Sequence, residues 1–328
     1  MIKFGIIGTN WITDRFIDAA KQHNEFQLTA IYSRTEERAQ EFANKYHVQT
    51  IFTDIEKMAS SREIDAVYIA SPNSFHFEQA IMFMNYGKHV LCEKPFASNS
   101  KEVNKMIAAS SNNNVVLMEA VKSTLLPAFQ SLKTNLHKIG QIRNYFASYC
   151  QYSSRYDAYK QGTILNAFNP IYSNGALMDL GVYCIYPMVV LFGSPTTIKA
   201  NAYMLKSGVD GHGTIGFSYD NMNAEVIYSK VTNSYLHSEI QGEEGSILID
   251  KIHGPENIEI RYKDGSVEDI SAPIEKSEMY YEVEEFIKLI KEGEIESAIN
   301  SHTNSLATIN LLDEVRNQIG LVFPADKR

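Results

Sequence analysis

Two side chains in the second half of the chain, Asp179 and Tyr183, have the types and spacing needed to move a proton. They are four residues apart, so a helix that starts near Gly175 places both on one face. A phenol, whose ordinary pKa is about 10, acts as a general acid or base when its pKa moves toward the working pH. The alternative is that Asp179 forms a structural ion pair and Tyr183 belongs to the core.

A cation in the first half, Lys94, complements these two groups. A nearby ammonium group favours the phenolate form and lowers the pKa of a tyrosine such as Tyr183. The same charge polarises an alcohol or carbonyl oxygen, and Asp179 can keep the ammonium charged or orient the substrate. Hydride removal from an alcohol carbon needs a base for the hydroxyl proton, so these residues predict hydride-transfer chemistry. Otherwise Lys94 is a surface lysine.

Residues 1–120 are predicted to form a doubly wound parallel α/β domain of the Rossmann type. Short, continuous apolar runs alternate there with amphipathic segments, which is typical of strands buried on both faces between helices. The predicted strands are Ile2–Ile7, Leu28–Tyr32, Ala66–Ala70, His89–Leu91 and Val115–Met118. The predicted helices are Trp11–Lys21, Glu36–Tyr46, Phe75–Tyr86 and Lys101–Ala109.

Residues 121–328 have a different rhythm and are assigned to an α+β domain with a large, mostly antiparallel sheet. Turn signals separate successive strand-like stretches there. These stretches are Ile142–Cys150, Ile198–Leu205, Gly213–Tyr219, Ala224–Lys230, Ser234–Gln241, Ser246–Ile249 and Ile258–Tyr262. The predicted helices are Leu125–His137, Met279–Lys291 and Thr303–Gln318. Pro187 predicts a kink in the helix that carries Tyr183.

The turn after the first strand resembles a dinucleotide-binding turn. A glycine-rich strand-to-helix turn lets backbone N–H groups approach a pyrophosphate, and the helix N-terminus offsets its charge. The fingerprint is incomplete, because Asn10 and Thr13 occupy its second and third glycine positions. Asn tolerates left-handed backbone angles better than most residues. An ordinary tight turn is the alternative. The predicted cofactor contacts here are Gly8, Thr9, Asn10, Trp11 and Ile12.

The end of the second strand predicts a preference for NADP over NAD. An NAD-selective fold places Asp or Glu near the ribose 2′-hydroxyl, whereas this chain has Ser33, Arg34 and Arg38. A hydroxyl and guanidinium groups suit a 2′-phosphate, which accepts charge-assisted hydrogen bonds. The alternative is that Arg34 stacks on adenine and Arg38 pairs with Glu41, and NAD is kept as the second candidate cofactor.

Further cofactor contacts are expected where the fourth strand ends. Ser71, Pro72 and Asn73 stand at the carboxyl end of that strand, where open α/β sheets bind their ligands. A plain turn or helix cap is the alternative for Asn73. His76 is also a candidate, with a structural role as the alternative.

Several of these features together resemble the Gfo/Idh/MocA oxidoreductase family, over nearly the whole chain. They are the opening turn, Ser71-Pro72-Asn73 with His76, the triplet Glu93-Lys94-Pro95, Glu119-Ala120, and the run from Asn174 to Tyr183. The resemblance implies that Lys94 is the active-site lysine and that Glu93 approaches the nicotinamide ribose.

The resemblance also implies a substrate class. The family motif commonly has His at the position of Tyr183, and Tyr is similar to the dihydrodiol dehydrogenase and glucose–fructose oxidoreductase branches, which argues against the inositol dehydrogenase branch. We expect an NADP-preferring enzyme that moves a hydride between nicotinamide and a sugar, polyol or diol/dicarbonyl, assembled as a homodimer or homotetramer through the C-terminal sheet. The alternatives are a non-catalytic NAD(P)-binding sensor and an enzyme that shuttles hydride between two sugars on a tightly held cofactor.

The composition argues against other classes. The formal net charge is -9 and no basic stripe is visible, so no nucleic-acid partner is expected. No long continuous apolar stretch or secretory pattern stands out, which predicts a cytoplasmic protein without a membrane span. Cys92, Cys150 and Cys184 are not spaced as a pair and are expected to be reduced, and no metal-ligand spacing is found.

One segment of the second half, Cys150–Asn169, is rich in Tyr, Arg and Lys. Its aromatic faces and cations suit one wall of a cleft for sugar rings and anionic groups. A solvated loop or a subunit contact is an equal alternative.

Overall fold

The computed structural model describes residues 1–327, which form two compact units. The first unit consists of Met1–Ala120 with Lys276–Ser305, and the second of Val121–Glu275 with residues 306–327. Arg328, the last residue of the predicted second domain, lies outside the described residues. The predicted division has a single boundary after residue 120. In the structure, Lys276–Ser305 also belongs to the first unit.

A six-stranded parallel sheet forms the centre of the first unit. Its strands are β1 (Ile2–Ile7), β2 (Phe26–Tyr32), β3 (Thr50–Phe52), β4 (Ala66–Ile69), β5 (His89–Glu93) and β6 (Leu117–Ala120). Their order is β3-β2-β1-β4-β5-β6, and all neighbours are parallel. This is the predicted doubly wound arrangement. The strand order reverses between β1 and β4, so the turns after these strands lie at the edge where such sheets bind ligands.

Helices connect these strands, and most begin at a polar side chain that the sequence supplies. They are α1 (Trp11–Ala20), α2 (Glu36–Tyr46), α3 (Ile55–Ser60), α4 (His76–Asn85) and α5 (Ser100–Asn113). The side chains of Asn10, Thr35, Asp54 and Asn99 accept hydrogen bonds from the first turns of α1, α2, α3 and α5. Each cap satisfies backbone N–H groups that have no partner inside the helix.

The second unit is built on an eight-stranded sheet. Its strands are β7 (Ile142–Cys150), β8 (Thr197–Met204), β9 (Asp210–Ser218), β10 (Asn223–Ser229), β11 (Ser238–Gly242), β12 (Gly245–Ile249), β13 (Ile258–Tyr262) and β14 (Val267–Asp269). The order is β14-β13-β12-β11-β7-β10-β9-β8. All neighbours are antiparallel except β7 and β10, which are parallel. The predicted mostly antiparallel sheet is confirmed.

The second unit contains α6 (Pro127–Asn135), α7 (Tyr156–Lys160) and α8 (Val182–Phe192), together with most of a later helix. A π-helical turn, Leu177–Gly181, leads directly into α8. The segment Pro170–Phe192 is long and apolar enough to cross a membrane by length and composition, but most of it is buried inside the protein. It therefore has the packing of a core helix, and the hydroxyl group of Tyr145 donates to its Cys184 carbonyl at 2.8 Å.

Two helices close the chain, α9 (Tyr280–Glu292) and α10 (His302–Ile319). The apolar face of α9 packs in the first unit, where the ring centroids of Phe286 and Phe4 are 5.8 Å apart. In α10, the buried guanidinium group of Arg316 pairs with Asp313 and Asp326 at 2.7 and 2.9 Å. This pairing ties the turn at Asp326 to α10 within the second unit.

Candidate active site

The turn after β1 depends on the glycine at position 8. Gly8 has a φ of +103°, a conformation that side chains with a Cβ rarely adopt. A Cβ at this position would stand 2.4 Å from the carbonyl oxygen of Ala70, at the end of β4. The close approach of these two loops therefore requires glycine.

Asn10 braces the same turn through its side chain. Its amide oxygen accepts from the backbone N–H groups of Ile12 and Thr13 at 3.0 and 3.4 Å, and its amide nitrogen donates to the Ala70 carbonyl at 2.8 Å. The Thr13 hydroxyl donates to the Gly8 carbonyl at 2.7 Å. Asn10 has φ −126°, so the tolerance of Asn for left-handed angles is not used here. The helix cap needs an extended backbone instead.

Arg38 of α2 contacts the turn from the side. Its guanidinium group donates to the Thr9 hydroxyl at 3.1 Å and to the Thr9 carbonyl at 2.7 Å. It also pairs with Glu41 at 2.6 Å, as the alternative interpretation expected. Ser33 is half-buried and Arg34 is exposed at the end of β2. Arg38 is thus hydrogen-bonded to Thr9, whereas Arg34, four residues earlier in the sequence, is exposed to solvent.

The indole of Trp11, the first residue of α1, is 60% exposed. The Arg15 guanidinium carbon lies 5.9 Å from its ring centroid. An indole with this exposure at a helix N-terminus is accessible to a ligand. Ile12 is half-buried beside it.

His76 joins two loops at the carboxyl edge of the sheet. Its Nε2 lies 2.9 Å from the Ser71 carbonyl oxygen and its Nδ1 lies 3.0 Å from the Pro95 carbonyl oxygen. The ring is buried, and this burial lowers the pKa of His76. Both ring nitrogens therefore face backbone carbonyl groups, and the neutral ring donates to one of them, which favours the structural alternative for this residue. Pro72 and the buried Asn73 lie between Ser71 and His76 in the sequence.

The segment that carries Lys94 is buried on both sides of it. From Leu91 to Asn99, Lys94 is the one residue with partial exposure. The buried Glu93 carboxylate accepts from the Tyr68 hydroxyl at 2.6 Å. The peptide bond between Lys94 and Pro95 is cis. Lys94 is thus a partly exposed residue within a segment whose neighbouring residues are buried.

Glu119, at the end of β6, is a buried carboxyl group to which sequence analysis gave no role. It accepts a hydrogen bond of 2.9 Å from the backbone N–H of Phe96. Burial raises the pKa of Glu119 to about 7, against the lowering effect of hydrogen bonds from Ser305 and Phe96. The only sequence signal was its place in the Glu119-Ala120 pair that ends a strand.

Asp179 and Tyr183 are the partly exposed residues of an otherwise buried helix. All the remaining residues from Gly175 to Val189 are buried. Asp179 and Tyr183 therefore share one accessible face, as their spacing predicts. The turn that carries Asp179 is π-helical, a geometry often found at functional sites. These observations argue against a purely core role for Tyr183.

The Asp179 carboxylate forms an ion pair with Lys230, which sequence analysis did not find. The Lys230 Nζ lies 2.5 Å from the Asp179 Oδ2. The lysine side chain is only 4% exposed, and the aspartate side chain is 34% exposed. The structural alternative proposed for Asp179 is therefore present in the molecule, together with an accessible carboxylate.

An aromatic cluster surrounds Tyr183. Its ring centroid is 5.9 Å from that of Tyr149 and 6.4 Å from that of His253, both in edge-on arrangements. The Tyr149 and His253 rings stack at 3.7 Å. Rings packed in this way restrict the rotation of a side chain, so the phenol is held in place rather than free in solvent.

The segment Cys150–Asn169 packs against the same region through its aromatic residues. Tyr156 and Tyr159 stack with centroids 5.7 Å apart, and each contacts the ring of Phe168. The Lys230 Nζ lies 5.4 Å from the Phe168 ring centroid. A chain of contacts therefore links this segment to Asp179 through Phe168 and Lys230.

The thiols and possible metal ligands show no paired or clustered arrangement. Cys92, Cys150 and Cys184 are all free, and two of them are buried. Across residues 1–327 no group of three or more His, Cys, Asp or Glu side chains could hold a metal ion.

Two family models match this chain. Residues 2–121 match the "Oxidoreductase family, NAD-binding Rossmann fold" and residues 135–248 match the "GFO/IDH/MocA C-terminal domain". The chain is also similar to a solved structure, the aldose-aldose oxidoreductase from Caulobacter crescentus, with a TM-score of 0.86 at 18% identity over 97% of each chain. At this identity the likeness establishes the fold.

Curated relatives match over the full length. The chain is 59% identical to scyllo-inositol 2-dehydrogenase (NADP(+)) IolU of Bacillus subtilis (strain 168), over 100% of each protein. It is 30% identical to trans-1,2-dihydrobenzene-1,2-diol dehydrogenase of Danio rerio, over 100% of this chain and 99% of the relative.

The first of these relatives goes against one expectation. Tyr183 was expected to argue against the inositol dehydrogenase branch, yet the chain is 59% identical to an inositol dehydrogenase. A phenol and an imidazole can both serve as a general acid or base, so the residue type at position 183 does not by itself identify the substrate. With both models and full-length relatives in agreement, the chain belongs to the Gfo/Idh/MocA family of oxidoreductases.

Proposed function

We propose that this oxidoreductase is NADP-dependent and interconverts a ring hydroxyl and a ketone on an inositol-like cyclic polyol. The observation that carries the proposal is the 59% identity, over the whole of both chains, to a scyllo-inositol 2-dehydrogenase (NADP(+)). The partial exposure of Lys94, Asp179 and Tyr183 within buried segments supports it, because reacting groups must be fixed and accessible.

The first unit fits a dinucleotide. Gly8 allows the turn after β1 to approach the end of β4, and the N-terminus of α1 favours a pyrophosphate. The exposed Arg34 and the Thr9-bound Arg38 suit a 2′-phosphate. We propose that the cofactor is held by residues in these loops, namely Gly8, Thr9, Asn10, Trp11, Ile12, Ser33, Arg34, Arg38, Ser71, Pro72, Asn73, Glu93 and Lys94. His76 acts indirectly, because its ring nitrogens contact the carbonyls of Ser71 and Pro95.

The chemistry assigned to the chain concerns the substrate oxygen. When bound, NADP supplies the nicotinamide ring that accepts the hydride in oxidation and returns it in reduction. In oxidation, Tyr183 takes the proton of the substrate hydroxyl while the hydrogen on the alcohol carbon leaves with its bonding electrons as hydride. In reduction, the phenol returns a proton to the carbonyl oxygen. Lys94 polarises the oxygen with its charge, and Asp179 accepts a hydrogen bond from a neighbouring hydroxyl. A polyol offers several such hydroxyls.

A substrate panel tests the proposal. The purified enzyme is given scyllo-inositol, other inositols, aldoses and a trans-dihydrodiol, each with NADP+ and NAD+ in parallel, and NAD(P)H absorbance is followed. The highest kcat/KM is expected for a cyclic polyol with NADP+. If NADPH binds but none of these compounds is oxidised with either cofactor, the sensor alternative replaces this proposal. NADPH absorbance that survives purification would favour the tightly held cofactor.

We also propose a homo-oligomer, a dimer or a tetramer, that pairs through the open face of the eight-stranded sheet. Along β8 every second residue is exposed, and Tyr203 on this face is 59% exposed. Large exposed aromatic residues on a sheet face are typical of interfaces. Sedimentation equilibrium at micromolar concentration tests this; a species of monomer mass alone would reject it.

A further inference from the structure

We propose that Lys230 is a positioning residue for the reaction, which acts by holding the Asp179 carboxylate charged and correctly oriented. The inference rests on the proposed function and adds a residue to it. The family motifs that identify the other candidate residues do not extend to Lys230, which directly follows β10.

The ammonium group of Lys230 is buried and paired. Its Nζ contacts the Asp179 Oδ2 at 2.5 Å, and the residue is only 3% exposed. An isolated charge in such a position is costly, so a buried lysine requires a hydrogen-bonded counter-charge. Asp179 supplies that charge, and in return its carboxylate is constrained in orientation.

The backbone of Lys230 is fixed from two sides. Its N–H donates to the Gly211 carbonyl at 2.8 Å, and its carbonyl accepts from the Ser153 N–H at 2.9 Å. The Phe168 ring lies 5.4 Å from the Nζ and limits its movement. The lysine is therefore a rigid support rather than a flexible surface group.

The exposure of the two partners separates their roles. Asp179 keeps 34% of its side-chain surface exposed, whereas Lys230 keeps 4%. The Asp179 side chain is therefore partly open to solvent, whereas the Lys230 side chain is enclosed by protein atoms. Lys230 thus acts through Asp179, one helical turn before Tyr183, and does not itself contact the substrate.

The helix that carries Asp179 is also held at its start. The ion pair with Lys230 is therefore needed to orient the carboxylate rather than to place the helix. The Leu177 N–H donates to the buried Asp210 Oδ2 at 2.7 Å. A Cβ at Gly175 would stand 2.1 Å from the Asp210 Oδ1, so the backbone packs closely on this acid. Asp210 therefore fixes the backbone at the start of this helix, and the ion pair with Lys230 restricts the Asp179 side chain.

A double-mutant cycle in the full-length enzyme tests the inference. The variants are Lys230→Met, Asp179→Asn and the pair, each assayed for kcat and KM with the best panel substrate. Each single variant is expected to lose about tenfold or more in kcat, with the Kd for NADPH unchanged within about twofold. The double variant is expected to fall within about threefold of the worse single variant, because both changes remove one interaction.

Two further variants complete the design. Lys263→Met is the matched control, because Lys263 pairs with Glu244 at 3.6 Å with 70% of its side chain exposed, and it should keep full activity. Lys230→Arg keeps the charge and should recover part of the lost kcat. If Lys230→Met does not fold, Lys230→Gln, which keeps a hydrogen-bond donor, takes its place in the cycle.

The outcomes are distinguishable. Multiplicative losses in the double variant, or full kcat in a folded Lys230→Met enzyme while Asp179→Asn is impaired, overturn the inference and leave the proposed function intact. Full activity of Asp179→Asn would instead contradict the proposed role of that carboxylate, and with it both proposals for this site.

Discussion

The carboxyl group of Glu119 accepts a 2.9 Å hydrogen bond from the backbone N–H of Phe96, two residues beyond Lys94. A buried, titratable group therefore supports the segment from which the candidate active-site lysine projects. Its pKa is raised to about 7 by burial, so its charge changes within the physiological pH range.

This shift predicts a pH-dependent stability. The folded protein binds a proton at Glu119 more tightly than the unfolded chain, whose carboxyl pKa is 4.5. This contribution to the free energy of unfolding is fully present below pH 4.5 and is lost as the pH rises through about 7. Its size is roughly 3 kcal/mol. Glu119→Gln should remove this pH-dependent contribution. In urea unfolding, the stability of the variant relative to the wild type should therefore increase from pH 4.5 to 8. Parallel pH profiles would contradict the prediction.

The turn after β1 allows a test of the close approach at Gly8. Gly8→Ala forces a Cβ to within 2.4 Å of the Ala70 carbonyl and should destabilise the protein by about 2 kcal/mol or more and abolish detectable NADPH binding. Gly87→Ala is the control, because Gly87 also has a positive φ, +71°, but open space around it. It should cost only about 1 kcal/mol and leave binding unchanged. Thermal unfolding and NADPH fluorescence titration measure both, and equal losses would contradict the account.

The NADP preference is assigned to two arginines with different surroundings. Arg34→Ala should raise the Kd for NADP about tenfold or more while changing that for NAD less than threefold, because only the 2′-phosphate loses a partner. Arg38→Ala should weaken both cofactors, because Arg38 also holds Thr9. Arg62→Ala, at an exposed position of the same unit, is the control. Isothermal titration with each cofactor measures the ratio, and an unchanged ratio in Arg34→Ala would contradict the assignment.

Much of the fold could be predicted because its signals are local. The continuous apolar run Ile2–Ile7 predicts a buried parallel strand, and the structure has a strand with those bounds. In contrast, the short elements β3, α3, α7 and β14 were not predicted. The edge strand β3, for example, has three half-buried residues and too few positions to show a pattern.

The site was less predictable, because its contacts depend on tertiary structure. Asp179 and Tyr183 share a face as their spacing predicts, but Lys230 is 51 residues from Asp179 and meets it only through the placement of β10. The elevated pKa of Glu119 likewise follows from burial that no local motif encodes. The π-helical turn at Leu177–Gly181 is also invisible in a pattern of apolar residues.

The central claim is that Tyr183 and Lys94 carry out the chemistry. The most direct measurement is the single-turnover rate of NADPH formation from the best polyol in Tyr183→Phe and Lys94→Ala, beside the wild type, with NADPH affinity measured in each. We predict that each variant loses about 100-fold or more in rate, because the proton acceptor or the polarising charge is removed, while NADPH still binds. A wild-type rate in either variant would contradict the account.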